Sequence, residues 1–173
     1  MSDKVLKVKV DNVDALVKSR AFVSAFRKRI RVNAEKLGNR ITALAVENLE
    51  HNNTGTLRKS ISYNVDDKPN RVELSIGASA VAKHNDTAFD YALAVHEGTK
   101  PHWPPVKPMR LWVSQKFPGI RGNQKAINSV AFMVSRKIAR VGTEANPFLK
   151  EALDEVRPDI ESYIDDAFRK AAQ

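Results

Sequence analysis

A chain of 173 residues with 42% hydrophobic and 28% charged side chains has the size and composition of one globular domain, which excludes an intrinsically disordered protein. Cysteine is absent, and this excludes a disulfide framework, a thiolate nucleophile and a cysteine-ligated zinc site. The net charge of +9 is uneven: residues 101–150 carry nine basic and one acidic side chain, whereas residues 151–173 carry three basic and seven acidic ones.

The first ten residues indicate whether the protein is expected to be secreted. Lysines at positions 4, 7 and 9 interrupt the apolar residues there, so we expect no secretory signal peptide. No stretch approaches the roughly 20 consecutive apolar residues of a membrane-spanning helix. We therefore expect a protein that is made in a reducing cytoplasm and has no membrane partner.

The N-terminal part of the chain is predicted to form a short strand and one long helix. Apolar residues alternate with lysines over residues 5–10, which predicts an edge strand. Apolar residues then recur at helical spacing over Val13–Glu50, which predicts a long amphipathic helix. Gly38 weakens this prediction, because glycine inside a helix costs about 1 kcal/mol. The turn-forming residues at 51–55 are predicted to end the helix.

A β-hairpin is predicted to follow. Apolar residues alternate with polar ones over residues 57–65 and again over residues 72–76. Between them, residues 66–70 have the sequence Asp-Asp-Lys-Pro-Asn, which is typical of a turn. Residues 78–86 are predicted to form a loop, and residues 88–97 suit either a short helix or an extended segment.

Next come a proline-rich arm and two predicted helices. Four prolines in the nine residues Lys100–Pro108 exclude a helix and an interior strand, which predicts an extended arm. Helical spacing resumes over Met109–Phe117 and ends at Pro118. A further helix is predicted over Ala126–Arg140, with basic residues in its last turns.

The C-terminal part is predicted to be helical as well. Asn146 is expected to cap the last helical region, Pro147 to occupy its first position, and Pro158 to kink it. The order of elements predicts an α+β fold. In this fold a small antiparallel sheet is packed against a long N-terminal helix, and additional helices lie at the C-terminal end.

The sequence contains no recognisable set of catalytic residues. His96-Glu97 begins like the zinc-binding pattern His-Glu-x-x-His, but Lys100 stands where the second histidine is needed. The serine elbow of hydrolases, the phosphate-binding glycine loop and the dinucleotide glycine pattern are absent. We therefore expect a protein that is not an enzyme and that uses no metal or other cofactor.

Two groups of residues are candidates for binding a partner. The first surrounds the arm, where tryptophans stand among basic residues; this pattern suits a protein pocket or nucleic acid, and Trp112 also suits the core. Its members are Trp103, Pro104, Pro105, Lys107, Arg110 and Trp112. The second group is basic and suits a solvated face, a contact with acidic C-terminal helices, or a surface that faces DNA. Its members are Lys125, Arg136, Lys137 and Arg140.

Three segments resemble a known family in their order and spacing. They are Thr54–Ile61 (TGTLRKSI), Tyr91–His102 (YALAVHEGTKPH) and Gly142–Leu153 (GTEANPFLKEAL). Together, over about residues 15–160, they resemble the neck, or tail-completion, proteins of tailed bacteriophages, which are encoded among the head-tail joining genes. The motif residues are Gly55, Leu57, Arg58, Ser60, Ile61, Tyr91, Glu97, Gly98, Thr99, Gly142, Pro147 and Phe148.

The resemblance implies a structural virion protein with no catalytic residues. Such a subunit forms a homo-oligomeric ring at the head-tail junction. It contacts portal or connector-side head proteins, the tail terminator or tail tube proteins, and non-specifically the packaged DNA. Residues 1–173 then form a single head-tail joining domain, with an arm at about 100–108 and a helical insertion at about 108–140. The protein is made in the cytoplasm of the host bacterium and resides in the virion.

The motif residues also have physical interpretations. Gly55 suits the positive φ of a helix-to-strand reversal, and Leu57 and Ile61 are expected on the buried face of the first hairpin strand. Residues 97–99 are expected to end an apolar segment and release the arm. Pro147 and the aromatic residue after it are expected to start a helix and place a ring in the core.

The arm and the insertion leave alternatives open. The arm is expected to reach a neighbouring subunit, because restricted proline backbone loses little entropy when it docks. The basic insertion stands where many relatives carry a His-Pro-Gly element. A tail terminator or other minor tail protein is therefore an alternative, and a basic nucleic-acid-binding module is an alternative of another class.

Overall fold

The computed structural model describes residues 20–49, 55–69, 71–84 and 87–172. The strand predicted over residues 5–10, the predicted helix start before Arg20 and the turn residues 51–54 lie outside this range. The described residues form two compact units. The first unit contains residues 20–49, 58–69, 71–79 and 148–172, and the second contains residues 55–57, 80–84 and 87–147.

Seven helices and four strands are present in the described residues, together with two short 3₁₀ turns at Pro118–Ile120 and Arg157–Asp159. In chain order the elements are α1 (Arg20–Glu47), α2 (Thr56–Ser60), β1 (Ile61–Lys68), β2 (Arg71–Ala78), β3 (Val81–His84), β4 (Thr87–Asp90), α3 (Tyr91–Glu97), α4 (Val106–Lys116), α5 (Gln124–Val141), α6 (Phe148–Val156) and α7 (Ile160–Ala171).

The long helix α1 is the centre of the first unit. Its apolar residues recur three and four positions apart, so they share one face, and that face is buried. The buried apolar residues are Phe26, Ala34, Leu37, Ile41 and Ala45. The predicted amphipathic helix is thus confirmed over the described residues, and it continues without a break through Gly38.

The hairpin of β1 and β2 packs against α1. Its prediction is confirmed, and alternate residues of β2 are buried, as the two-residue period of a strand requires. These buried residues are Val72, Leu74 and Ile76. Asp66 and Asp67, which were predicted in the turn, belong instead to β1. The reason is that pairing continues to Lys68 opposite Arg71, which leaves only two residues for the turn.

The short helix α2 leads into β1. The expectation that Leu57 lies on the first hairpin strand is wrong, because Leu57 lies in α2 and the strand begins at Ile61. Both side chains are nevertheless buried. Two apolar residues four positions apart fit a helical face as well as a strand face, so spacing alone does not separate the two structures.

Gly38 lies inside α1 because β1 passes close to the helix at this point. A Cβ atom built on Gly38 would lie 2.5 Å from Cδ2 and 2.6 Å from Cγ of Tyr63. Both distances are far shorter than van der Waals contact, so the ring of Tyr63 occupies the space that any side chain would need. The residue that weakens the helix is therefore the one that lets the sheet pack on it.

Gly38→Ala is expected to destabilise the protein by about 1–2 kcal/mol, although alanine favours a helix over glycine by about 1 kcal/mol. The overlap with the Tyr63 ring outweighs the gain in helix propensity. Urea denaturation followed by far-ultraviolet circular dichroism measures the free energy of unfolding. In a Tyr63→Ala background the same substitution is expected to be stabilising. Stabilisation by Gly38→Ala in the wild-type chain would contradict this account.

Arg27 ties the hairpin turn to α1. Its guanidinium group donates hydrogen bonds to the carbonyl oxygens of Lys68, at 2.6 Å, and Pro69, at 2.9 Å. It also pairs with the carboxylate of Asp67 at 2.5 Å. The two charged side chains are partly exposed, so the ion pair itself adds little stability. The bonds to the backbone carbonyls fix the position of the turn against the helix.

The helices α6 and α7 also pack on α1. Pro158 lies in the 3₁₀ turn between them, so the predicted kink is confirmed. The rings of Phe22 and Phe168 meet edge to face with their centroids 5.3 Å apart. The buried amide of Asn33 donates to the carbonyl oxygen of Tyr163 at 2.7 Å, which links α1 to α7.

Polar contacts also link α1 to α7 and to the 3₁₀ turn before it. A hydrogen bond from Lys170, with a second from Asn33, holds the pKa of the Asp166 carboxyl below its usual value. Asp159 forms an ion pair with Arg40 of α1 at 2.6 Å. These partly exposed groups complete the polar rim of the helix packing.

The second unit begins with a hairpin of β3 and β4, which pair antiparallel. The predicted loop over residues 78–86 is therefore wrong for residues 81–84, because four-residue strands are too short for an alternation of apolar residues to reveal them. Residues 88–97 contain both of the predicted alternatives, since β4 ends at Asp90 and α3 begins at Tyr91.

The helices α4 and α5 pack together in the second unit. Their common core contains Val113, Ile127 and Ala131. The helix predicted over Ala126–Arg140 is confirmed as α5, which begins two residues earlier. The carboxamide oxygen of Asn123 caps its start by accepting a hydrogen bond from the N–H of Ala126 at 3.1 Å.

The architecture is mostly helical, with a long helix near the N-terminus, a small two-stranded antiparallel sheet packed against it, and C-terminal helices. The predicted α+β fold class is thus confirmed. The expectation that residues 1–173 form a single head-tail joining domain stays a prediction, and the described residues group into two compact units.

Candidate functional site

Two motif segments that lie far apart in the sequence meet in one contact, which we call the glycine–threonine bridge (Gly98, Thr99, Gly142 and Thr143). The N–H of Thr99 donates to the carbonyl oxygen of Thr143 at 3.1 Å. The N–H of Thr143 donates to the carbonyl oxygen of Thr99 at 3.2 Å. Their hydroxyl groups lie 2.9 Å apart. The bridge joins the ends of α3 and α5, although 44 residues separate the two threonines.

Both glycines of the bridge have conformations that other residues rarely adopt. Gly98 follows α3 with φ 72° and ψ −176°, and Gly142 follows α5 with φ 78° and ψ −159°. A Cβ atom at Gly98 would lie 2.5 Å from the carbonyl oxygen of Thr143, and one at Gly142 would overlap the carbonyl oxygen of Thr99. Neither position therefore admits a side chain.

The remaining residues of the second motif segment shape α3. The carboxylate of Asp90 accepts a hydrogen bond from the N–H of Ala92 at 3.0 Å and caps the helix. Tyr91 is the first residue of α3, and its N–H donates to the carbonyl oxygen of Ala80 at 3.0 Å. Glu97 is the last residue of α3 and is exposed. Lys100 and the arm follow the bridge.

The first motif segment reverses the chain after α1. Gly55 has φ 71°, so the positive φ predicted for it is confirmed. The guanidinium group of Arg58 donates a hydrogen bond to the carbonyl oxygen of Leu49 at 3.3 Å. This bond satisfies a carbonyl group near the end of α1, where the helix itself supplies no donor. Ser60 ends α2, and the buried Ile61 begins β1.

The third motif segment places an aromatic ring in the core. Phe148 is 0% exposed and lies on the same face of α6 as the buried Ala152 and Val156. The prediction that Pro147 is the first helical residue is wrong by one position, because α6 begins at Phe148. The backbone N–H of Asn146 donates to the carbonyl oxygen of Val95 at 2.9 Å, which ties this segment to α3.

The proline-rich arm is shorter than predicted, because α4 begins at Val106 and includes Pro108. Proline is tolerated there, since N–H groups in the first turn of a helix have no partner inside the helix. Pro105 stands at the N-cap position, and Pro104 is buried. Trp103 is 53% exposed, and its ring lies 5.9 Å from that of Phe132 in α5.

The other candidate interface residues divide into exposed and packed side chains. Lys107 and Arg110 are exposed on α4. Trp112 is half-buried, packs against the core formed by Val113 and its neighbours, and meets Phe117 edge to face at 6.1 Å. Trp112 therefore serves packing between α4 and α5, in line with the core position that its helical spacing suits.

The basic candidate residues share the exposed face of α5. With 100° between successive residues, Lys125, Arg136, Lys137 and Arg140 fall within an arc of about 120°. All four side chains are exposed, and none forms an ion pair with a described residue. From Gly98 to Thr143 the sequence contains nine lysines and arginines and no acidic residue.

Sequence reasoning missed two apolar residues on that same face. Phe132 is 57% exposed and Met133 is 59% exposed, and they lie one turn before Arg136 and Lys137. Their signal in the sequence is a pair of large apolar residues opposite the buried stripe of an amphipathic helix. Phe168, which matches the apolar spacing of α7, is 47% exposed.

The histidines that begin like a zinc-binding pattern do not gather ligands. The Nδ1 atom of His102 lies 2.9 Å from the carbonyl oxygen of Lys100. In the part of the chain that the structure describes, no group of three or more histidine, aspartate or glutamate side chains is arranged to hold a metal ion. Within the same residues, no helix has the length and apolar character needed to cross a membrane.

No family model matches the sequence, no curated protein matches it, and no solved structure matches the fold.

Proposed function

We propose that this chain is a structural subunit of a tailed-phage virion that forms a ring at the head-tail junction, as a neck or tail-completion protein, and that it is not an enzyme. The observation that carries the proposal is the glycine–threonine bridge. It joins two of the three segments on which the resemblance depends, and its glycines admit no side chain. These motif residues hold the backbone together, which suits a protein that works through shape and contact.

The distribution of exposed apolar side chains also supports the proposal. Of the ten large apolar residues that are exposed among the described residues, eight lie in the second unit. They are Leu93, Trp103, Val106, Leu111, Phe117, Phe132, Met133 and Val141. Exposed apolar side chains that lie together are typical of surfaces that a partner covers, and the rings of Trp103 and Phe132 lie 5.9 Å apart. A ring subunit needs two such surfaces, one for each neighbour.

Deletion of this gene from the genome that carries it tests the proposal. Without the subunit, DNA-filled heads and complete tails are expected to accumulate separately, and electron microscopy of the lysate counts joined and unjoined particles. Addition of the purified chain to that lysate is expected to join them. In wild-type particles, gold-labelled antibody against the chain is expected to bind at the junction between head and tail.

Three results would overturn the proposal. Normal tailed particles made without the gene would remove the need for the subunit. Purified virions that lack the chain would exclude a structural role. Gold label at the far end of the tail would assign the chain to another part of the tail and exclude the neck.

A further inference from the structure

One face of α5 combines exposed apolar and basic side chains in a short stretch. We call it the α5 face, and it consists of Phe132, Met133, Arg136 and Arg140. These residues fall within an arc of about 100° on the helix. Neither arginine forms an ion pair with a described residue, so both charges face outward without a partner in the described chain.

One face of α7 carries the opposite charge in a matching pattern. This α7 face consists of Glu161, Asp165 and Phe168, which fall within an arc of about 60°. Glu161 and Asp165 are exposed, and neither carboxylate forms an ion pair with a described residue. Phe168 lies at the edge of the packing against α1: one side of its ring meets Phe22, and 47% of the side chain is exposed. Arg169 lies beside this arc, and Lys170 is engaged with Asp166 at 2.8 Å.

We infer that the α5 face of one subunit binds the α7 face of a second copy of this chain, with the two helices antiparallel. In that orientation Arg140 lies opposite Glu161 and Arg136 lies opposite Asp165, because each pair of like charges is separated by four residues. Met133 then lies opposite Phe168, because Met133 lies three residues before Arg136 and Phe168 lies three residues after Asp165. One register satisfies all three pairs.

The chemistry of the two faces favours a copy of this chain over nucleic acid as the partner of α5. Phosphate would pair with the arginines but would leave the exposed side chain of Met133 without an apolar partner. The α7 face supplies both carboxylates and an aromatic ring. Apolar contact contributes affinity here, whereas the charge pairs choose the partner and the register.

This inference rests on the proposed function, since a ring requires one surface of a subunit to meet a different surface of its neighbour. The α5 face and the α7 face are different surfaces, so the contact is heterologous and can be repeated around a closed ring. Lys125 lies on the same side of α5, but it is eleven residues away from Arg136, so in this register it lies far from Glu161, Asp165 and Phe168.

Charge reversal on the purified full-length chain tests the contact. Arg136→Glu with Arg140→Glu, or Glu161→Lys with Asp165→Lys, is expected to weaken self-association roughly 100-fold in sedimentation velocity experiments. An equimolar mixture of the two double variants is expected to associate again, because opposite charges then face each other between different chains. Lys116→Glu with Lys125→Glu changes the net charge equally, lies outside the contact, and is expected to have no effect.

Cysteine cross-linking tests the register, since the natural chain has no cysteine. A mixture of Arg136→Cys and Asp165→Cys chains is expected to form a disulfide-linked dimer on oxidation, whereas Lys125→Cys with Asp165→Cys is not. A wild-type chain that stays monomeric, together with no cross-link in the mixture of Arg136→Cys and Asp165→Cys chains, would overturn the contact. So would arginine variants that lose binding to duplex DNA but assemble normally. Either result would leave the proposed function to be decided separately, by the count of joined and unjoined particles in the lysate.

Discussion

Gly142→Ala is expected to lower the stability of the second unit by about 3–5 kcal/mol. The backbone of Gly142 has φ 78° and ψ −159°, a region open almost only to glycine. A Cβ atom there would overlap the carbonyl oxygen of Thr99 and lie 2.9 Å from the carbonyl carbon of Lys100. Relief of the overlap would open both backbone hydrogen bonds between Thr99 and Thr143.

Tryptophan fluorescence during urea denaturation measures this effect, because both tryptophans of the chain lie in the second unit. Hydrogen exchange is expected to accelerate at the amides of Thr99 and Thr143 and to stay unchanged in α1. Gly122→Ala is the matched control: Gly122 has φ 90°, but a Cβ there has no atom within 4 Å. We expect this control to cost about 1 kcal/mol. Equal losses for the two variants would show that the bridge contributes no stability of its own.

Phe148→Ala is expected to destabilise the first unit by about 3–5 kcal/mol. Phe148 is 0% exposed, and one face of α6 buries it together with Ala152 and Val156. Removal of the ring loses its transfer free energy from water and leaves a cavity that the surrounding helices only partly fill. Urea denaturation followed by circular dichroism measures the loss through the helices α1, α6 and α7.

Phe132→Ala is the matched control for the loss of a phenyl ring. Phe132 is 57% exposed and touches the ring of Trp103, so we expect a cost of about 1 kcal/mol or less. Phe148→Leu retains most of the apolar volume and is expected to fall between the two. A similar loss for Phe132→Ala and Phe148→Ala would contradict the assignment of Phe148 as the central core residue of α6.

The two large effects concern the motif segments that carry the resemblance. Gly142 serves the bridge and Phe148 serves the core. The proposed contact between subunits uses other residues, on the exposed faces of α5 and α7. Stability and assembly can therefore be changed separately, because charge reversal on an exposed face leaves the core intact.

The sequence by itself determined the elements in which the pattern of apolar residues extends over many positions. The spacing of apolar residues predicted α1 and α5, and alternation around a polar turn predicted the hairpin of β1 and β2. Pro158 predicted the kink before α7, and Gly55 predicted a positive φ. Each of these features depends on the conformational preference or the face of nearby residues, so a local pattern carries the information.

Only the tertiary structure decided the features that join distant residues. The pairing of Thr99 with Thr143, the ring of Tyr63 over Gly38 and the exposure of Phe132 depend on how elements meet in space. The hairpin of β3 and β4 was missed because four-residue strands carry no readable period. From the sequence, a glycine within a helix is recognised only as a residue that lowers helix stability. The neighbour that occupies the space of its missing side chain comes from another part of the chain.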